Sequence, residues 1–232
     1  MLSRGIVRCI VCLLVITATE SSSATNHVKY NPRLKVSSRA GLVKQLRAPF
    51  EEGVAHPAGV LNCVQLLAKV KDKEQSAGSS TSLQEDRSTM ATCLMLRELK
   101  NAKPARISYV HDLTWDEHVL PLLPPQLAIA VSTESKNAAD AAAAKKENWL
   151  AFDQSITAEV GSKGPEEIVV AGNGFSERLI LWGRGDFTGD GNEDLLVQSL
   201  DTLTEGTYRS TRLFILTRHK GDAPLTVARS VL

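Results

Sequence analysis

The chain changes its hydrophobic period partway along. Over 58–75, Val60, Cys63, Val64, Leu67 and Val70 recur three or four positions apart, with Lys and Asp on the other side. That spacing predicts an amphipathic helix. A second helical run carries Met90, Cys93, Leu94 and Leu96 and extends to about Ala102, where Pro104 stops it. Its start, SLQE at 82–85, fits a capping box, in which the Ser82 hydroxyl and the Glu85 carboxylate take up amides that a helix start leaves open. A flexible turn, SAGSSTS at 76–82, separates the two runs. The pattern predicts a helical hairpin over 51–104.

From Ala105 the helical period is lost. RISYV at 106–110 and QLAIAV at 126–131 read as strands, separated by HDLTWDEH and a Pro-rich stretch at 120–125. The Ala-rich run 135–146 is a strong helix former and reads equally as a linker between two halves. Five short apolar runs follow, at 168–171, 178–182, 194–198, 211–217 and 225–228, each bounded by Gly, Asn, Asp or Pro. Their close spacing predicts an antiparallel meander. The expected fold is α+β, a helical hairpin followed over 105–232 by a mainly antiparallel β region.

Ahead of the hairpin, 25–50 is basic and weakly periodic, with Pro32 and Pro49 as breakers; it reads as an extended or partly disordered lead-in. The first 24 residues follow the order of a secretory signal peptide. Arg4 and Arg8 precede the apolar run CIVCLLVI at 9–16, and Ser22 and Ala24 supply the small residues of a cleavage site. The apolar run is short of the ~20 residues that span a bilayer, which leaves an uncleaved anchor as the lesser alternative. No later segment is long and apolar enough to cross. Charge is balanced, 27 Lys and Arg against 26 Asp and Glu, and cleavage after Ala24 leaves a neutral chain. Nucleic acid and anionic membrane are therefore disfavoured as main partners.

Export changes the reading of the cysteines. Only Cys63 and Cys93 outlast the leader, and a lone pair in an oxidising compartment predicts a disulfide. Cys63 lies 16 residues before Ser79, in the middle of the turn, and Cys93 lies 14 after it. On antiparallel helices the two are within about 3 Å of level, compatible with the short Cα separation a disulfide needs.

The densest chemistry is in GRGDFTGDGNEDLLV, 183–197. Counting from Asp186, oxygen-bearing side chains fall at positions 1 (Asp186), 3 (Thr188), 5 (Asp190), 7 (Asn192) and 9 (Asp194). Calcium takes six to eight hard oxygen ligands, and a tight loop with an oxygen at alternate residues can wrap one ion. Gly191 sits where the backbone must turn sharply. The loop resembles the DxDxDG class, and within it the FG-GAP repeat of integrin-alpha-type β-propellers, down to the strand that follows Leu195. The resemblance implies a calcium ion held by Asp186, Thr188, Asp190, the Asn192 carbonyl and Asp194. Thr188 stands where the family has Asn or Asp and is a poorer ligand. Val197 occupies position 12, where EF-hand and dockerin loops place an acid. Only about a dozen residues and one strand are covered, so the resemblance implies a metal site and not a propeller, which needs many blades. The plain alternative is a turn held by Asx-type hydrogen bonds.

Other motifs carry less. In the adhesion-like tripeptide Arg184-Gly185-Asp186, the resemblance makes the aspartate the loop's first ligand, which would turn its carboxylate into the ion and not outward to a receptor. No Gly-Lys-Ser/Thr follows, and three carboxylates repel phosphate, so a phosphate loop is set aside. The cluster HDLTWDEH at 111–118 offers two histidines and three acids for zinc or for a general base. Its histidines are seven apart, with no H-E-x-x-H spacing, and a solvated loop with Trp115 packed inward is the simpler reading. There is no G-x-S-x-G elbow. Trp149, Trp182 and Phe175 read as core or hydrophobic-edge residues. These features together predict an exported, non-enzymatic calcium-binding protein that binds or inhibits a protein or glycan partner, with one calcium in a structural role. The alternatives are a metal-dependent hydrolase at 111–118 and an envelope-associated structural protein.

Overall fold

The computed structural model describes residues 27–36, 38–51, 58–75, 87–160 and 166–232. The leader, the 76–82 turn and the SLQE capping box lie outside the described residues. In chain order the elements are β1 (Lys29–Tyr30), a 3-10 turn at Pro32–Leu34, α1 (Arg39–Arg47), α2 (Cys63–Gln75), α3 (Arg87–Asn101), 3-10 turns at Glu117–Leu122 and Pro125–Leu127, α4 (Thr133–Ala144) and α5 (Trp149–Phe152). The strands β2 (Thr157–Val160), β3 (Glu167–Gly172), β4 (Phe175–Gly185), β5 (Asp194–Leu203), β6 (Arg209–Thr217) and β7 (Thr226–Ser230) complete the fold. This is an α+β fold, with N-terminal helices joined by the Cys63–Cys93 disulfide and an antiparallel sheet after them.

The strands lie in the sheet in chain order, β2 to β7, and every neighbouring pair is antiparallel. The five apolar runs fall in β3 to β7. Their alternation is hidden in the sequence because both faces of the sheet are covered, so successive apolar residues enter different cores. Leu195, Val197, Phe214 and Leu216 join Trp115, Val119, Leu123, Leu127 and Trp149 on one face. Leu196, Leu213 and Ile215 join Leu42, Leu66, Cys93 and Leu99 of α1, α2 and α3 on the other.

Within 25–50, read as an extended or partly disordered lead-in, Lys29–Tyr30, Pro32–Leu34 and Arg39–Arg47 instead form β1, a 3-10 turn and α1. Ser38 caps α1 by accepting from the Gly41 amide at 3.2 Å, and Leu42 and Leu46 are buried. β1 adds to the end of β4, pairing Lys29 with Arg184 and Tyr30 with Gly183, beyond Ile180 where β3 stops. Gly183 permits that approach: a Cβ there would lie 2.9 Å from the Lys29 carbonyl and 2.5 Å from Leu99.

The first predicted helix starts later than its apolar pattern does. Asn62 Oδ1 accepts from the Gln65 amide at 3.0 Å, and Gln65 Oε1 accepts from the Leu61 amide at 2.7 Å, so α2 begins at Cys63. Its buried stripe is also rotated. Leu66 is 1% exposed, whereas Val64, expected to face inward, is 48% exposed. α3 buries Met90, Cys93, Leu94 and Leu96 as predicted. The Cys63–Cys93 bridge joins α2 to α3 with a Cα separation of 5.1 Å across 30 residues. Closing a loop of that length stabilises by about 3–4 kcal/mol.

Two expected strands are absent. Residues 106–110 make an isolated bridge from Ile107 to Asn192, and 126–131 continue irregularly from the 3-10 turn at Pro125–Leu127. The cause is the same in both. Val110, Leu127 and Ala128 are buried under the sheet, while arginines take up their neighbouring carbonyls. Pro124 and Pro125 remove two ladder donors besides.

Candidate metal-binding loop

β4 and β5 form a hairpin closed by the Gly185–Asp194 pair, with residues 186–193 as its loop. The loop is folded by its own carboxylates. Asp186 Oδ1 accepts from the Gly189 amide at 2.6 Å and Oδ2 from the Gly191 amide at 3.2 Å. Asp190 accepts from the backbone amide of Asn192 at 2.8 Å and from its side-chain amide at 2.9 Å. Asp194 Oδ2 accepts from the Phe187 amide, the Thr188 amide and the Thr188 hydroxyl, each at 3.0 Å. Gly191 has φ of +88°, and a Cβ there would also lie 2.7 Å from the Arg106 guanidinium, so both conformation and space require glycine.

This folding brings one carboxylate oxygen from each of Asp186, Asp190 and Asp194 within 4.8 Å of the others, close enough to hold a metal ion. Thr188 and Asn192 lie in the same loop, with their side chains hydrogen-bonded to Asp194 and Asp190. Asp186 and Asp194 are buried and Asp190 is exposed. Among the described residues none of the three has a Lys, Arg or His nitrogen within 4.0 Å. Burial pushes the Asp194 carboxyl above its ordinary range, and the Thr217 hydroxyl on β6, with the Thr188 and Phe187 donors of the loop, offsets only part of that. Burial acts the same way on Asp190, but there the Asn192 amides, the Thr188 hydroxyl and the charge interaction with His219 outweigh it and hold the carboxyl below its usual value. Among the described residues no donor meets buried Asp194 Oδ1 with full hydrogen-bond geometry.

The loop is braced by the strip that follows α3. Lys103 and Asp186 exchange backbone hydrogen bonds at 3.0 and 2.8 Å, and the amides of Arg106 and Ile107 donate to the Gly191 carbonyl at 2.8 and 3.1 Å. The Glu193 amide donates to the Ile107 carbonyl, and the Ser108 hydroxyl donates to Glu193 Oε2 at 2.5 Å. The adhesion-like tripeptide is not on display: the Arg184 guanidinium donates to the Val110 and Leu113 carbonyls at 2.6 and 2.7 Å, and Asp186 is buried.

The 111–118 cluster divides into two surface pairs. His111 Nε2 is 2.7 Å from Asp112 Oδ2, and His118 Nδ1 is 3.1 Å from Asp116 Oδ1. Asp116, Glu117 and His118 gather closely enough to hold a metal, without His111. Asp116 also caps the 3-10 turn through the His118 amide at 2.9 Å, and the His118 side chain is 82% exposed. Trp115 turns inward and donates to the Leu179 carbonyl at 3.3 Å.

A second acidic cluster escaped the sequence reading. Strand register sets Glu177 opposite Asp201 and Ser199 opposite Arg212, all on one face of the sheet. Arg212 Nε donates to Asp201 Oδ2 at 2.8 Å and Nη2 to Glu177 Oε1 at 3.3 Å, while the same guanidinium donates to the carbonyls of Gln126, Leu127 and Ala128 at 3.2, 2.5 and 3.0 Å. The Ser199 hydroxyl lies between the two acids, 2.6 Å from Glu177 and in hydrogen-bond contact with Asp201. Burial pushes the Glu177 carboxyl up to about 8; Arg212 opposes this and Asp201 adds to it. A proton on Glu177 lets the chain run from Glu177 to Ser199 to Asp201. No local motif announces four residues spread over 177–212.

The chain matches no protein-family model, no curated protein and no solved structure.

Proposed function

We propose that the 186–194 loop binds one calcium ion as a structural staple in an exported, non-enzymatic protein that binds a protein or glycan partner. The convergence of Asp186, Asp190 and Asp194, none of them in an ion pair within 4.0 Å among the described residues, carries this reading. Three carboxylates held together repel one another until a cation neutralises them, so an ion would tighten the hairpin and its brace at 103–108. Hard oxygens with no thiol or imidazole among them favour calcium or magnesium over zinc. The resemblance to the FG-GAP loop supports calcium, with Thr188 and the Asn192 carbonyl as the further ligands. Among the described residues no helix is long and apolar enough to cross a membrane, and export rests on the leader pattern of the first 24 residues.

Thermal melts of the chain from Thr25 onward, in calcium and in EDTA, test the staple. The melting temperature is expected to fall on chelation, and Asp190→Ala is expected to show the low value in both buffers. An ion present at a hundredfold excess over its Kd stabilises by about 2.7 kcal/mol. Equal melts in both buffers would reduce the loop to an Asx-bonded turn. N-terminal sequencing of the full-length chain after export from a host cell tests cleavage near Ala24.

A further inference from the structure

An open cleft of about 620 Å³ lies between the 108–122 strip and the connection from β6 to β7. Its size falls within the range of small-molecule sites. Leu113, Val119 and Leu122 give it apolar lining, and Arg218 and Asp222 line it as well. Arg218 is half-buried and held in place, Nε donating to the Ala223 carbonyl at 2.6 Å and Nη1 to the Tyr109 carbonyl at 3.2 Å. Among the described residues Arg218 has no carboxylate within 4.0 Å, and Asp222 has no cationic nitrogen within that distance. His111 and Asp112, also in the lining, are already joined to each other at 2.7 Å.

The wall of the cleft is preformed. Ser108 is tied to Glu193, and the carbonyls of Val110 and Leu113 are tied to Arg184. A fixed guanidinium without a counter-charge suits a carboxylate, which it can meet with two parallel donors. Asp222 in the same cleft repels a dianion such as phosphate and attracts an ammonium group. The aliphatic lining suits an uncharged side chain. We infer that this cleft binds a small amphiphilic zwitterion, an apolar α-amino acid, with its carboxylate on Arg218, its ammonium on Asp222 and its side chain against Leu113, Val119 and Leu122.

Calorimetric titration with L-leucine, N-acetyl-L-leucine and L-leucinamide tests each end of the ligand separately. Leucine is expected to bind, and each blocked derivative to bind about tenfold more weakly or worse, since a hydrogen bond to a charged group is lost. Arg218→Gln should weaken leucine and spare leucinamide, and Asp222→Asn should weaken leucine and spare N-acetyl-leucine. No heat from leucine at millimolar concentration, or equal affinity for all three compounds, would overturn the inference. The wild-type series decides even if Arg218→Gln does not fold. Titrations run in both calcium and EDTA keep the result separate from the metal reading.

Discussion

At one end of the β4–β5 pair three aspartates make no ion pair among the described residues; at the other end Glu177 and Asp201 close on Arg212. Both are acidic clusters built by the same two strands, yet they solve the repulsion between carboxylates differently. The Arg212 end is sealed under the 126–128 carbonyls, and its charge is balanced inside the protein. One guanidinium reaches both carboxylates, and burial raises the pKa of Glu177, which favours its protonated form and eases the repulsion from Asp201. The hairpin end leaves Asp190 in solvent and has no ion pair among the described residues. A cluster that carries its own counter-charge has no use for an ion. A cluster whose carboxylates make no ion pair, with one of them facing solvent, is open to an ion from outside.

The largest expected effect is at the sealed end. Arg212→Ala would leave Asp201 uncompensated and three carbonyls without their donor, and breaking a buried pair this way costs about 3–5 kcal/mol. Chemical denaturation would measure it. A loss under about 1 kcal/mol, the scale of an exposed ion pair, would mean that the sealed cluster is not what holds the 126–128 segment down.

The pH dependence sharpens the contrast further. Glu177 has an ordinary value of 4.5 and a folded value near 8. The folded state then holds a proton that the unfolded chain has released. Its contribution to stability is full below about pH 4.5, falls as pH rises towards 8, and is flat above that. Glu177→Gln keeps the shape without the titration, so the wild-type-minus-variant stability difference should decline between pH 5 and 8. A difference that stays constant over that window would show that Glu177 ionises normally.

The smallest effect is expected at the surface. His118 and His111 make exposed pairs with neighbouring acids, and replacing both with Ala should change stability by no more than about 0.5 kcal/mol. A larger loss, or zinc that remains with the wild type and leaves the variant, would revive the hydrolase alternative.

The two clusters also differ in how far the sequence revealed them. The hairpin loop was legible because its oxygens are spaced by two along nine residues and its glycines mark the turn. The Arg212 cluster was not, because only strand register brings Glu177, Ser199, Asp201 and Arg212 together. The same divide runs through the fold. β3 to β7 showed as apolar runs between turn residues, and Cys63 with Cys93 showed as a pair. RISYV and QLAIAV misled because apolar residues that cap a sheet from outside share the composition of strands within it. β1 was hidden because its two residues make sense only against Gly183, and α1 because its short buried stripe, Leu42 and Leu46, lies in a basic segment.

The central claim is that the three aspartates of the hairpin end, which make no ion pair among the described residues, take up a metal cation. Calcium titration calorimetry on EDTA-stripped protein tests it most directly. The account predicts one ion bound per chain, with the heat lost in Asp186→Ala and retained in Glu177→Gln. No heat at millimolar calcium, or binding that survives Asp186→Ala, would contradict it.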